Sequence, residues 1–198
     1  MSAGVAEVIS RVTVQSAPGK SKDLDRRERK QIDNHGVTVN LPRMGMERIL
    51  LAAQGYIELE MPEEALAELD QLPAPEQDRE EVLQLRLFVL MRGRRWTQAL
   101  DVCARLRALF PGDSTGYIHG AFCLHEAGRT AEAKTLLLSG PPDLTKEATF
   151  FYNLGCYDAV LGNMAEAAAA LRTSFEMDKK FREIAKADPD LKSVSGLF

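Results

Sequence analysis

Pro62-Glu-Glu-Ala65-Leu, Trp96-Thr-Gln-Ala99-Leu, Thr130-Ala-Glu-Ala133-Lys and Met164-Ala-Glu-Ala167-Ala decide how this chain folds. Their alanines stand 34 residues apart, each in a matched setting. A fixed period near that length marks a stacked helical repeat: one unit cannot bury its apolar face alone, and stacked neighbours share one continuous core. A small residue belongs where two helices cross, because a larger side chain there forces overpacking at about 1–3 kcal/mol.

Working outward from the alanines gives units at 46–79, 80–113, 114–147 and 148–181, each read as two antiparallel helices. The first helix of each begins near Met46, Glu80, Ser114 or Ala148. Gly93, Gly128 and Gly162 fall at the break between helices, where freedom at positive φ suits a tight turn. Pro73 and Pro75, and Pro141 and Pro142, end the second helix early in the first and third units, while Pro111 closes the second unit. The second helices are thus expected to alternate short, long, short, long. Residues 182–198 read as a C-terminal cap. A helix around Phe181, Ile184 and Ala185 faces inward there, and Asp188-Pro-Asp-Leu starts a final turn.

Composition fits one domain: 198 residues, 45% hydrophobic, are enough for a sizeable core. The net charge of −4 does not suggest a nucleic-acid binder. The charge is uneven, about +3 over residues 1–45 and about −7 over the rest. Residues 1–45 read as a flexible, mildly basic leader, with a strand-like Val37-Thr-Val-Asn-Leu that could lie in the chain's own groove or a neighbour's. No apolar run reaches the roughly 18 residues of a membrane span, and no secretory signal opens the chain. A cytoplasmic location is the expectation. Cys103, Cys123 and Cys156 are odd in number and far apart, so they read as buried thiols.

The units resemble the tetratricopeptide repeat. Its pattern is met by Ile49, Ala52, Ala53, Tyr56, Ala65 and Leu69 in the first unit and by Leu83, Leu87, Leu90, Ala99, Cys103 and Pro111 in the second. Tyr117, Ala121, Leu124, Ala133 and Leu137 carry it in the third, and Phe151, Leu154, Gly155, Ala167 and Leu171 in the fourth. The match covers about two thirds of the chain. Four departures stand out: Arg86 in an apolar slot, Asp158 in place of a tyrosine, and Gly140 and Ser174 in place of the second alanine. The stretch from Tyr152 to Leu191 also looks like the terminal unit of bacterial tetratricopeptide proteins.

That resemblance implies an all-α, right-handed superhelix of antiparallel helix pairs, its concave face lined by the first helices. The residues it places in the groove as a partner-binding site are Leu50, Gln54, Gln84, Phe88, Met91, Arg92, Ile118, Phe122, His125, Tyr152 and Cys156. They are mostly apolar along the centre, which fits an extended or helical partner peptide held by anchor side chains. Phe88 and Phe122 share one repeat position and read equally as groove anchors or as core between units. Family members that bind acidic chaperone tails use a clamp of Lys, Asn and Arg. Leu50, Gln54, Leu85, Thr115 and His119 occupy those positions here, so that clamp is not expected.

Catalytic and metal signals fall short. His119 and Cys123 stand at i and i+4 near His125, but zinc takes about four ligands and no second pair is evident. Nothing supplies a general base with an orienting partner, or a Gly-rich phosphate loop. Arg92, Arg94, Arg95, Arg105 and Arg107 read as a solvated edge. The expectation is a non-catalytic protein-interaction scaffold or adaptor, without metal, cofactor, nucleic acid or membrane. A small secretion-system chaperone, and an assembly factor or subunit of a larger complex, are the alternatives.

Overall fold

The computed structural model describes residues 41–194 and 196. The leader's strand-like segment around Val37 and Val39 lies outside them. Among the described residues there are ten α-helices, two short 3-10 segments and no strand. The helices are α1 (Leu41–Glu58), α2 (Pro62–Asp70), α3 (Ala74–Gln77), α4 (Glu80–Arg92) and α5 (Trp96–Leu109). They continue as α6 (Thr115–Glu126), α7 (Thr130–Leu138), α8 (Ala148–Val160), α9 (Met164–Met177) and α10 (Lys180–Ala185). The 3-10 segments are Pro142–Lys146 and Pro189–Leu191. No helix among the described residues is long and apolar enough to cross a membrane.

α1 packs on α2, α4 on α5, α6 on α7 and α8 on α9, and each pair stacks on the next. The 34-residue period runs through the backbone itself. The first helices end at Glu58, Arg92, Glu126 and Val160, and the second begin at Pro62, Trp96, Thr130 and Met164. Between them the chain turns through a left-handed residue, at Glu60, Arg94, Gly128 and Gly162. The amides of Met61, Arg95, Arg129 and Asn163 then bond back to the carbonyls of Tyr56, Leu90, Leu124 and Asp158, at 2.8–2.9 Å. This is a Schellman ending, in which orphan carbonyls of the helix end are satisfied by the turn. Ala65, Ala99, Ala133 and Ala167 are each fully buried at the crossings.

The expected alternation is present: α2, α5, α7 and α9 have 9, 14, 9 and 14 residues. After each short helix a brief element refills the space, with Leu72 ahead of α3 and Leu144 in the 3-10 turn both buried. Two expectations need correction. α1 begins at Leu41 rather than Met46, with Pro42 in its first turn, where a missing N–H costs nothing. Gly93 is not the left-handed residue of its turn. It has φ −76°, and Arg94 takes φ 55°, because Gly93 sits one residue ahead of the register that Gly128 and Gly162 keep.

The four departures from the repeat pattern each have a contact that accounts for them. Arg86 Nη1 donates to Asp70 Oδ1 at 2.7 Å, tying α4 to α2. Lys134 Nζ donates to Asp158 Oδ1 at 2.5 Å, tying α7 to α8, and Asn163 Nδ2 donates to the same oxygen at 2.8 Å. Ser174 Oγ donates to the Ala148 carbonyl at 2.9 Å, where α9 meets the start of α8. A Cβ on Gly140 would lie 2.0 Å from Leu144 Cδ1, so the refilled gap leaves no room for alanine.

Candidate partner-binding groove

The positions expected to line the groove divide into two sets along the stack. On α1 and α4, Gln54 and Arg92 are exposed and Leu50, Gln84, Phe88 and Met91 are half-buried. Leu51, one residue from Leu50 on the same helix, is 69% exposed. The Arg92 guanidinium lies over the Phe88 ring, 5.7 Å from its centroid, and contacts Glu60 loosely at 3.9 Å. This is an open, apolar stretch with one cation at its rim.

On α6 and α8 the equivalent positions are filled. Ile118, Phe122, Tyr152 and Cys156 are all buried, and His125 is half-buried. Phe122 meets Trp96 edge-on, with centroids 6.0 Å apart and planes at 84°. Phe122 therefore belongs to the core between helix pairs, while Phe88 keeps an open face.

The C-terminal segment accounts for part of this burial. After α10 the chain turns back, and the Pro189–Leu191 turn packs on α8. Phe181 stacks on Tyr152 with centroids 4.9 Å apart. Tyr152 Oη donates to Asp188 Oδ2 at 2.7 Å, and Cys156 Sγ is 3.8 Å from the same oxygen. His125 Nε2 lies 3.0 Å from Asp190 Oδ2, and its Nδ1 lies 3.0 Å from Thr130 Oγ1. A carboxylate only accepts, so Nε2 carries a proton, and in the neutral ring Nδ1 then accepts from the threonine hydroxyl. Asp188 caps its own turn by accepting from the Asp190 amide at 3.1 Å, and Leu191 and Val194 are buried behind it.

Burial governs the electrostatics. It raises the Asp188 carboxyl above its usual range, against the opposing hydrogen bond from Tyr152. The Tyr152 phenol and Cys156 thiol are pushed up by burial and by the Asp188 charge, so both stay protonated. Around this contact, Phe122, His125, Glu126, Asn153, Cys156, Tyr157, Asp188 and Asp190 enclose a cavity of about 10 Å³. Asn153 Nδ2 and Tyr157 Oη, both buried, have no hydrogen-bond partner there.

The other candidate chemistry is accounted for locally. His119 is buried, which lowers its pKa, and its Nδ1 lies 3.0 Å from the Thr115 carbonyl. The Cys103 thiol pairs with Cys123 across α5 and α6, and that contact, then burial, raises its pKa. Among the described residues no three His, Cys, Asp or Glu side chains are grouped to hold a metal ion. Arg95 makes a two-oxygen contact with Glu63 at 2.8 and 2.9 Å, and Arg105 pairs with Asp78. Arg107 Nη1 donates to the Gly116 carbonyl at 3.0 Å. Its stem fills the space that a side chain at Gly116 would need, and its guanidinium, with Leu136 and Cys103, crowds the Cβ position of Gly120.

The sequence reading missed the C-terminal turn as an element of the groove. The signal was present: an Asp cap followed by proline, then Leu191 and Val194 three residues apart. What was not legible is that α10 ends early enough for this turn to reach back to α6.

No protein-family profile and no curated protein sequence matches the chain. Among solved structures it is similar to MamA, residues 41 to the end, from Desulfovibrio magneticus RS-1. Identity is 16% and the TM-score 0.62, over 77% of this chain and 89% of that one. A double mutant of MamA RS-1 gives the same identity and TM-score, over 77% and 94%. At that identity the likeness shows the fold, an all-α superhelix of the tetratricopeptide type.

Proposed function

We propose that this chain is a non-catalytic protein-interaction scaffold of four tetratricopeptide-type repeats with a C-terminal cap. It takes a partner peptide or helix in the open part of its concave face. The observation that carries this is the stretch formed by Leu50, Leu51, Phe88 and Met91, which stays partly exposed with Arg92 at its rim. Apolar side chains on the two adjacent helices α1 and α4 suit an anchor residue, at about 25 cal/mol per Å² buried before ordering costs. Gln54 and Gln84 supply side-chain amides that can bond a peptide backbone. Arg92 adds a preference for an acidic or aromatic neighbour.

Capture of partners from the native cell by the wild-type chain and by Phe88→Glu, followed by mass spectrometry, tests the reading. Phe88 is half-buried, so the variant should keep its helicity by circular dichroism. We expect specific partners to lose at least about tenfold in affinity, the scale of one hot-spot residue. Unchanged capture by a folded variant would remove the open groove as the site.

A further inference from the structure

The C-terminal turn packs on α8 and bonds to Tyr152 and His125, two of the positions expected to line the groove. We propose that the cleft between α6 and α8 is a recognition site for a short acidic turn, two carboxylates two residues apart followed by an apolar anchor. Asp188–Val194 is its resident occupant, displaced when a partner segment of the same chemistry binds. This deepens the scaffold reading and rests on it for the existence of a partner.

Three observations support it. The contacts are those of a bound peptide: Tyr152 and His125 each donate to a different aspartate, at 2.7 and 3.0 Å, and Leu191 is buried as an anchor. They come from side chains on two helices, at repeat positions that the tetratricopeptide resemblance assigns to the concave side. Second, the occupant is an incomplete match. Asn153 and Tyr157, 2% and 1% exposed, line the same small cavity as the two aspartates, and Asn153 Nδ2 and Tyr157 Oη have no hydrogen-bond partner. A buried donor without a partner is costly, so a segment that offers one more carbonyl or carboxylate there gains over the resident. Third, the segment's own structure is slight, a three-residue turn held by backbone bonds of 3.0 and 3.3 Å. Its hold on the site therefore comes from the side chains of Asp188, Asp190, Leu191 and Val194, and substituting them loosens the turn without touching the helices it covers.

The resident turn competes as a tethered ligand, at an effective concentration on the order of millimolar. Weakening it in the full chain should therefore expose the site to a peptide in trans. The probe is a labelled peptide with the sequence of residues 186–194, Lys-Ala-Asp-Pro-Asp-Leu-Lys-Ser-Val. The proteins are the native chain and a D190N/L191S variant. We expect the variant to bind the peptide at least tenfold more tightly than the native chain. Equal affinity, with helicity retained, would overturn the proposal and leave the turn as a cap only. If the variant does not fold, hydrogen exchange on the native chain decides. Amides of Leu191 and Val194 exchanging at least tenfold faster than the α8 core would support a turn that opens alone, and equal rates would overturn it. Phe88→Glu should leave peptide binding unchanged, so failure here and failure of the open groove are read separately.

Discussion

The two halves of the concave face use the same repeat positions and do different things with them. Phe88 and Phe122 are 34 residues apart and equivalent in the repeat, yet one is half-buried under an arginine and the other is 4% exposed against Trp96. The positions expected to line the groove are partly open on α1 and α4, and on α6 and α8 they are covered by neighbouring helices and the returning C-terminal turn. The repeat thus sets where a side chain points, while what comes after it in the chain sets whether that side chain is available.

The sharpest way to break this distinction is to place the same charge at both phenylalanines. Phe122→Glu puts a carboxylate into the core and should cost about 3–5 kcal/mol. Phe88→Glu should cost about 1 kcal/mol or less, because its exposed face lets the charge reach water and Arg92. Urea denaturation of the two variants measures both. Equal losses would mean that the two halves are not differently packed.

Smaller but still large is the effect of the buried ion pair that joins α7 to α8. Asp158 is 2% exposed and accepts from Lys134 and Asn163. Asp158→Ala strands an ammonium that is partly exposed, so about 2–3 kcal/mol should be lost, at or below the usual range for breaking a buried pair. The corresponding bridge in the first half, Arg86 to Asp70, has a 64% exposed acid side chain. Asp70→Ala there leaves the Arg86 guanidinium, 18% exposed and with Nη2 already lacking a partner, without its acid, so about 1–3 kcal/mol should be lost.

How much of this could be read in advance follows from how local each cause is. The alanine ladder, the proline-shortened second helices and the buried thiols depend on spacing and backbone chemistry within a few residues, and they were legible. The left-handed turn residue in the second unit was missed because glycine attracted the reading to position 93, while hydrogen-bond register chose Arg94. Arg86 and Asp158 read as flaws in a pattern, since their partners Asp70 and Lys134 lie 16 and 24 residues away on other helices. The part of the filling that comes from residues 188–194 could not be read from the groove positions, because those residues fold back from beyond the last helix pair.

The filled half should also respond to pH in a way the open half does not. Asp188 has a raised pKa in the folded chain, so the folded state takes up this proton at a higher pH than the unfolded chain does. Acidification from the raised value down toward 3.8 therefore adds stability through Asp188, and raising the pH through that window removes it. Asp188→Asn eliminates the titration. His125, Asp190, Tyr152 and Cys156 surround the group in both chains and cancel to first order in the difference. Stability of the native chain relative to D188N should rise as pH falls from 7 to 4, by urea melts at each pH. A flat difference would mean that Asp188 is not held away from water.

The smallest effect concerns the turns, which also divide by half. Gly128 and Gly162 take the left-handed conformation in the second half at no steric cost, but Glu60 and Arg94 take it in the first at φ 58° and 55°. A non-glycine residue there carries about 1–2 kcal/mol of strain, and glycine gives back about 0.5–1 kcal/mol through its freer unfolded chain. Arg94→Gly should therefore stabilise by about 0.5 kcal/mol, since the Arg94 side chain is exposed. Gly128→Ala, the reverse change at the matched turn, should destabilise by about the same amount or slightly more. Nothing lies within 4 Å of a Cβ built on Gly128, so that loss would measure backbone conformation alone. If Arg94→Gly destabilises instead, the arginine side chain contributes more than its exposure indicates, with the charge of Glu126 as the group it acts on.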